Sequence, residues 1–408
     1  MNLTVSKGSL YDYLFCILIL AIPFSLKLPN VLLIALTLFF IIDYKRIQKL
    51  DFSRLLQPQF VFLGILLLYW LIKGLFTGTI GENKYSLLLP IILIPLLILK
   101  VQDFYKILIA IVICGFIIST RALYGVFSNY LKFNEFLPFE GTSVNEILYM
   151  ERPYLGFFLI ISALIAVFMA TKIPKIKFIV TLYCLYIIVT IFLISARMSI
   201  LTLGTVLFLY VLFYLKIATK KLLIYLSIFL LVIIVLIGLN KNLQERLFIT
   251  SDYGESIEKF KRHEPRFIIW PCSYSIVKSP TFDKFFGLES ERKSDELLAD
   301  CYVTTIDNKH RANFFIETDL NTHNQFIGTF LTSGFLGFFL LFTFFIVQLY
   351  RGRKNYFATA IIISVLLFLV VENVLYRQIG VYFFALLIVL INIPEFNSKR
   401  EHAISKCE

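Results

Sequence analysis

Outside residues 241–322 the sequence has no hydrophilic stretch long enough to fold as a separate domain, which leaves one domain, 1–408, with one large insertion. No small-residue cleavage site of the A-x-A kind follows the first apolar run, about 10–26, and a second run follows at once. That run is therefore expected to persist as a helix and not to be removed as a signal peptide. There is no C-x-x-C, no H-E-x-x-H and no acidic cluster, so no metal and no other cofactor is expected. Nor do the six cysteines make a framework. Cys16, Cys114 and Cys184 fall in apolar runs as small packing residues, and Cys407 lies in the C-terminal tail. Cys272 and Cys301 share the insertion, where a disulfide is chemically permitted but spacing cannot decide it.

What is abundant is apolar surface: 59% of the 408 residues are hydrophobic and 16% aromatic, more than one soluble core could bury. The chain reads as an all-α polytopic membrane protein. A net charge of +12 could suggest a nucleic-acid binder, but the basic residues sit in short clusters between apolar runs. That placement orients helices in lipid, so membrane lipids and not nucleic acid are the expected surroundings.

Twelve spans are expected, at about 10–26, 29–43, 59–76, 86–99, 104–121, 153–171, 177–194, 198–215, 222–239, 324–349, 356–371 and 378–393. Alternate connections carry Lys45, Arg46, Lys49 and Arg54, then Lys100 and Lys106, Lys172 to Lys177, Lys216 to Lys221, Arg351 to Lys354, and Lys399 to Lys406. The positive-inside rule makes that side cytoplasmic and puts both termini inside. The segment 241–322, between spans nine and ten, is then a large external loop, and 122–152 a smaller one.

Ionisable residues are costly within a span and mark function by default. Here the middles of the spans are nearly free of charge, and the exceptions gather at the outer ends: Lys73, Arg121, Arg152, Arg197, His323, Glu372 and Arg377. In FLISARMSILTL, 192–203, a tight turn holds Arg197 at headgroup level, where a guanidinium suits a phosphate; an ordinary snorkelling arginine is the plainer reading. In MERPYLGFFL, 150–159, Arg152 precedes a helix-starting Pro153, with Glu151 as its simplest partner. In the loop, RHEPRFIIWPCSYSIVKSPTFDKFFG, 262–287, reads as an amphipathic helix lying on the membrane surface, with Phe267, Ile268, Trp270 and Ile276 on the apolar side and Arg262 and Arg266 at its start. In VENVLYRQIGVYFF, 371–384, Glu372 and Arg377 are expected to pair with each other unless they serve substrate. In NTHNQFIGTFLTSGFLGFF, 321–339, Asn324 suits a helix cap, and His323 is either an interfacial histidine or a general base among arginines.

Together these stretches resemble the O-antigen ligase and polymerase superfamily. THNQFIGTFLTSGFLGFF is similar to its H-N…G-x-x-G signature, with Gly334 and Gly337 at the glycine positions, SARMSILTL to its S-R-x-x-x-L-x-L turn, and RFIIW…SPTFDKFFG to its R-x-x-x-W…P-x-x-G element. The resemblance spans roughly 150–390. Two departures stand out: six residues separate Pro280 from Gly287, and Arg152 stands where many relatives have histidine.

The resemblance implies a GT-C-like membrane glycosyltransferase of the bacterial inner membrane. It would move a glycan from undecaprenyl pyrophosphate to a hydroxyl of lipid A-core at a periplasm-facing site, without a metal and with inversion. His323 would be the general base, Arg197 and Arg266 the main pyrophosphate ligands, Arg152 and Arg377 weaker ones, and Asn324, Glu372 and Arg262 supporting residues. A repeat-unit polymerase for O-antigen or capsule shares this chemistry, with another glycan as acceptor. A transporter of lipid-linked sugars would bind at mid-membrane, commonly on repeated broken helices. The charge-poor middles and the lack of an internal repeat argue against it.

Overall fold

A computed structural model describes residues 7–42, 55–134, 136–138, 142–214, 227, 238, 264–318 and 320–392. Among the described residues every regular element is helical: α1 Lys7–Ala21, α2 Leu28–Ile42, α3 Pro58–Phe76, α4 Asn83–Leu97, α5 Phe104–Phe133, α6 Thr142–Leu148, α7 Arg152–Lys172, α8 Lys177–Leu193, α9 Arg197–Tyr214, α10 Arg266–Lys278, α11 Glu291–Thr305, α12 Lys309–Glu317, α13 Gln325–Gly352, α14 Tyr356–Val371 and α15 Gln378–Leu390. Five helical stretches are long and apolar enough to cross a membrane: α3, α5, α13 and the runs Val144–Lys172 and Pro174–Leu193 that take in α7 and α8. Five shorter apolar helices, α1, α2, α9, α14 and α15, accompany them. Helix thus forms at eleven of the twelve expected positions, and the remaining one, 222–239, lies outside the described residues except for 227 and 238, while Arg262 and the basic clusters 45–54, 216–221 and 399–406 lie outside them altogether.

Helix α7 is the hub. It is apolar all round, as a helix enclosed by others must be, and packs on α5, α8, α9 and α14. Phe157 stacks on Phe368 of α14 at 4.4 Å between centroids, and Phe158 on Phe383 of α15 at 4.7 Å. Near its start, Gly156 lets α9 come close: a Cβ there would stand 2.0 Å from Ser199 Oγ. That contact sets the N-terminal ends of α7 and α9 side by side, and each begins with an arginine.

Two expectations need correction. Helix α5 does not end near 121 but runs 30 residues to Phe133, because Ala122, Val126 and Asn129 continue its buried stripe against α6. Arg121 is consequently a mid-helix residue, its guanidinium 3.6 Å from the Tyr149 ring centroid. The second correction concerns α10, whose buried side is Ile269, Cys272, Ser273 and Ile276, not Phe267 and Trp270. Those two are exposed, with Tyr274, on the opposite side of the helix. The reason is that the loop has a core of its own, in which Ile269 and Ile276 meet Leu298, Tyr302, Ala312 and Phe315 of α11 and α12. Cys272 and Cys301 are joined in a disulfide that staples α10 to α11 across 29 residues, a closure worth about 3 kcal/mol.

The loop core is fastened to the bundle through a break in α13. Gly334, at φ +60°, interrupts the helix, and the turn Lys284–Gly287 is inserted there: Phe335 N donates to Lys284 O at 2.9 Å and Leu336 N to Phe285 O at 3.2 Å. Gly287 also has positive φ, +74°, and its backbone touches that of Gly334 so closely that a Cβ on either would overlap the other strand of chain. Asp283 shapes this turn, accepting from Phe285 N and Phe286 N, and those bonds hold its carboxyl below the usual range. Lys73 of α3 closes the junction by donating to the carbonyls of Phe286, Leu288 (2.8 Å) and Thr332 (2.6 Å).

Candidate active site

Four loop or helix-end segments, distant in sequence, meet at one end of α7. The turn between α8 and α9 takes only three residues, with Ser195 in the left-handed region at φ +53°, and delivers Arg197 as the first residue of α9. Arg152 opens α7. Glu264 and Arg266 come from the start of α10, and Val371–Glu372 from the end of α14. His323 sits just before α13, also with positive φ, +43°. Such backbone in a non-glycine residue persists only where its surroundings hold it.

They do hold it. Asn324 caps α13 as expected, its Oδ1 accepting from Phe326 N and Ile327 N at 2.9 and 3.1 Å. Asn373, buried, ties the turn down: its Oδ1 accepts from Asn324 N at 3.0 Å and its Nδ2 donates to Thr322 Oγ1 at 2.9 Å. From the loop, Trp270 Nε1 donates to Thr322 O at 3.1 Å. His323 N in turn donates to Asn321 Oδ1 at 3.1 Å.

Arg152, Arg197, Arg266, His323 and Glu372 line a single cavity of about 190 Å³, together with Pro153, Ser199, Pro265 and Val371. Its charges interlock. Glu264, only 7% exposed, puts one oxygen 3.1 Å from Arg197 Nη2 and the other 2.5 Å from Arg266 Nη1. Arg266 Nη2 donates to Val371 O at 2.6 Å and lies 4.0 Å from Glu372 Oε1. Glu372 Oε2 stands 3.5 Å from His323 Nδ1. A carboxylate on that nitrogen favours the tautomer whose Nε2 carries the lone pair, the form a base requires. Arg152, 7% exposed, donates from Nη2 to Pro138 O at 3.0 Å, while its Nε and Nη1 have no acceptor among the described residues, nor does Nε of Arg266.

The structure therefore brings together five of the expected site residues and separates one. Arg377 does not pair with Glu372; it pairs with Glu151, which is thus not the partner of Arg152 either. The turn 372–377 points the two side chains different ways, Glu372 to the histidine and Arg377 to a second, larger cavity of about 780 Å³ between α11, α12 and the start of α4. In that cavity burial and the neighbouring Asp295 push the Glu291 carboxyl up to about 8, and burial lowers the Lys84 ammonium. Glu264 and Asn373 were not singled out from the sequence. The one available signal for Glu264 was its place two residues before Arg266 in RHEPRF, and Asn373 had none beyond adjacency to Glu372.

No protein-family model matches the chain, and no curated protein matches it.

Proposed function

We propose that the chain is an O-antigen ligase-type glycosyltransferase: a twelve-span protein of the bacterial inner membrane, both termini cytoplasmic, that transfers a glycan from undecaprenyl pyrophosphate to a hydroxyl of lipid A-core at a pocket facing the periplasm. The observation that carries the reading is the convergence of one imidazole, aligned by a carboxylate, with one buried guanidinium, Arg152, and two half-buried ones, Arg197 and Arg266, in one cavity, from segments as far apart as 152 and 372. Arginine is the side chain suited to phosphoryl oxygens, offering fixed forks of donors and a charge that persists when desolvated. The buried nitrogens of Arg152 and Arg266 that have no acceptor among the described residues are costly unless an anion completes them. At about 190 Å³ the cavity suits the reacting centre alone, so glycan and lipid extend from its mouth.

In the reaction the acceptor oxygen bonds to the anomeric carbon as the bond from that carbon to the phosphate oxygen breaks. His323 Nε2 takes the acceptor's proton, Glu372 steadies the imidazolium at Nδ1, and Arg152, Arg197 and Arg266 hold the departing diphosphate. Direct displacement inverts the anomeric centre. Replacing His323 with alanine is expected to reduce transfer by roughly a hundredfold or more while leaving binding of the diphosphate intact. Transfer from a polyprenyl-diphosphate-linked glycan by purified H323A at the wild-type rate would overturn the reading.

A further inference from the structure

Glu264 has no part in the chemistry above, yet it holds the centre of the arginine group. Its two oxygens reach two different guanidiniums, Arg197 from α9 and Arg266 from α10, which approach it from elements 67 and 2 residues away. Two acceptor oxygens on one small anion, each engaging a separate arginine fork, is also how a phosphoryl group is gripped. We propose that Glu264 is a built-in occupant of the anion site, holding Arg197 and Arg266 in place until the diphosphate of the donor displaces its carboxylate and takes over both contacts. This rests on the reading that the pocket receives a diphosphate.

Charge makes the exchange selective. With Glu264 seated, the guanidiniums of Arg152, Arg197 and Arg266 are opposed by the carboxylates of Glu264 and Glu372, leaving one net positive charge among the described arginines and carboxylates of the pocket. When Glu264 withdraws, two remain. A diphosphate diester brings roughly one negative charge per phosphoryl group, so it balances the emptied site. A lone phosphate can span the two guanidiniums that Glu264 bridges but brings no second phosphoryl group for Arg152, whose Nε and Nη1 have no acceptor among the described residues. Glu264 is therefore a specificity-determining residue: it keeps three like charges from repelling one another before the donor arrives, and it raises the threshold that small anions must pass.

The test is calorimetric titration of the purified full-length protein with inorganic pyrophosphate and, separately, inorganic phosphate. In E264Q the amide no longer competes as a charged acceptor, so pyrophosphate is expected to bind about tenfold tighter than in wild type, and the preference for pyrophosphate over phosphate to shrink. Should E264Q prove unstable from the uncompensated arginines, its thermal midpoint is expected to rise more on adding pyrophosphate than that of wild type, because the anion restores the missing charge. Pyrophosphate that binds E264Q no tighter than wild type, or shifts its midpoint no further, overturns the exchange and leaves the transferase reading standing. Wild-type and E264Q proteins that both fail to bind pyrophosphate overturn the exchange and the diphosphate reading together.

Discussion

Lys73 and Arg152 look alike in the sequence, two basic residues at the outer ends of apolar helices, and the structure gives them opposite fates. Lys73 has every donor used: three carbonyls of the Gly287–Gly334 junction receive its ammonium. Arg152 is more deeply buried, yet one carbonyl accepts from it and two of its nitrogens have no acceptor among the described residues. A saturated cation is a fastening. A desolvated cation with donors to spare is a poor fastening and a good receptor, since its cost is recovered only when something anionic arrives.

The comparison can be broken from either side. The largest effect is expected at Lys73: K73M leaves three carbonyls to find other donors and should lower stability by about 3 kcal/mol, read as a fall in thermal midpoint and easier proteolysis of the loop. A K73M protein as stable as wild type would show that the junction holds without it. At Arg152 the expected pattern is reversed. R152A should change the midpoint little but weaken pyrophosphate binding about tenfold or more, as for a lost charge-assisted bond; a large loss of stability with binding preserved would make Arg152 a second Lys73. The smallest effect concerns Glu291, whose carboxyl is raised in the folded protein. Its contribution is full below the ordinary carboxylate range and is lost as pH rises through about 8, so stability should decline over that window. In E291Q the decline should flatten, measured as thermal midpoint against pH.

Much of this architecture was legible in the residues because helices of this kind are written in long apolar runs, and the positions of those runs agree with the helices α1 to α5, α7 to α9 and α13 to α15. Arg197, Arg266, His323 and Glu372 could be found because charge at a helix end is conspicuous against such a background. Partners could not. Glu264 reaches Arg197 across 67 residues and Asn373 reaches Thr322 across 51, contacts that exist only once the bundle has assembled. Helical phase was equally mute for α10. Phe267, Trp270 and Tyr274 form one apolar side and Ile269, Cys272 and Ile276 the other, and periodicity alone cannot say which of two greasy sides meets protein. The same limit explains Glu372 and Arg377: five residues apart and opposite in charge, they are separated by a 3₁₀ turn at Val374–Tyr376 that sends them to different cavities.

The staple between Cys272 and Cys301 bears on when this protein becomes whole. Thiols stay reduced in the cytosol, so on the proposed topology the link can close only after its segment has been exported. Trp270 beside it steadies the turn that carries His323, and the Phe285–Gly287 bend plugs the interrupted helix behind that turn. Oxidation would then act as a maturation step: newly made chains stay unfinished on the side where premature activity would be useless, and a cell short of envelope oxidant would accumulate protein that is inserted but idle.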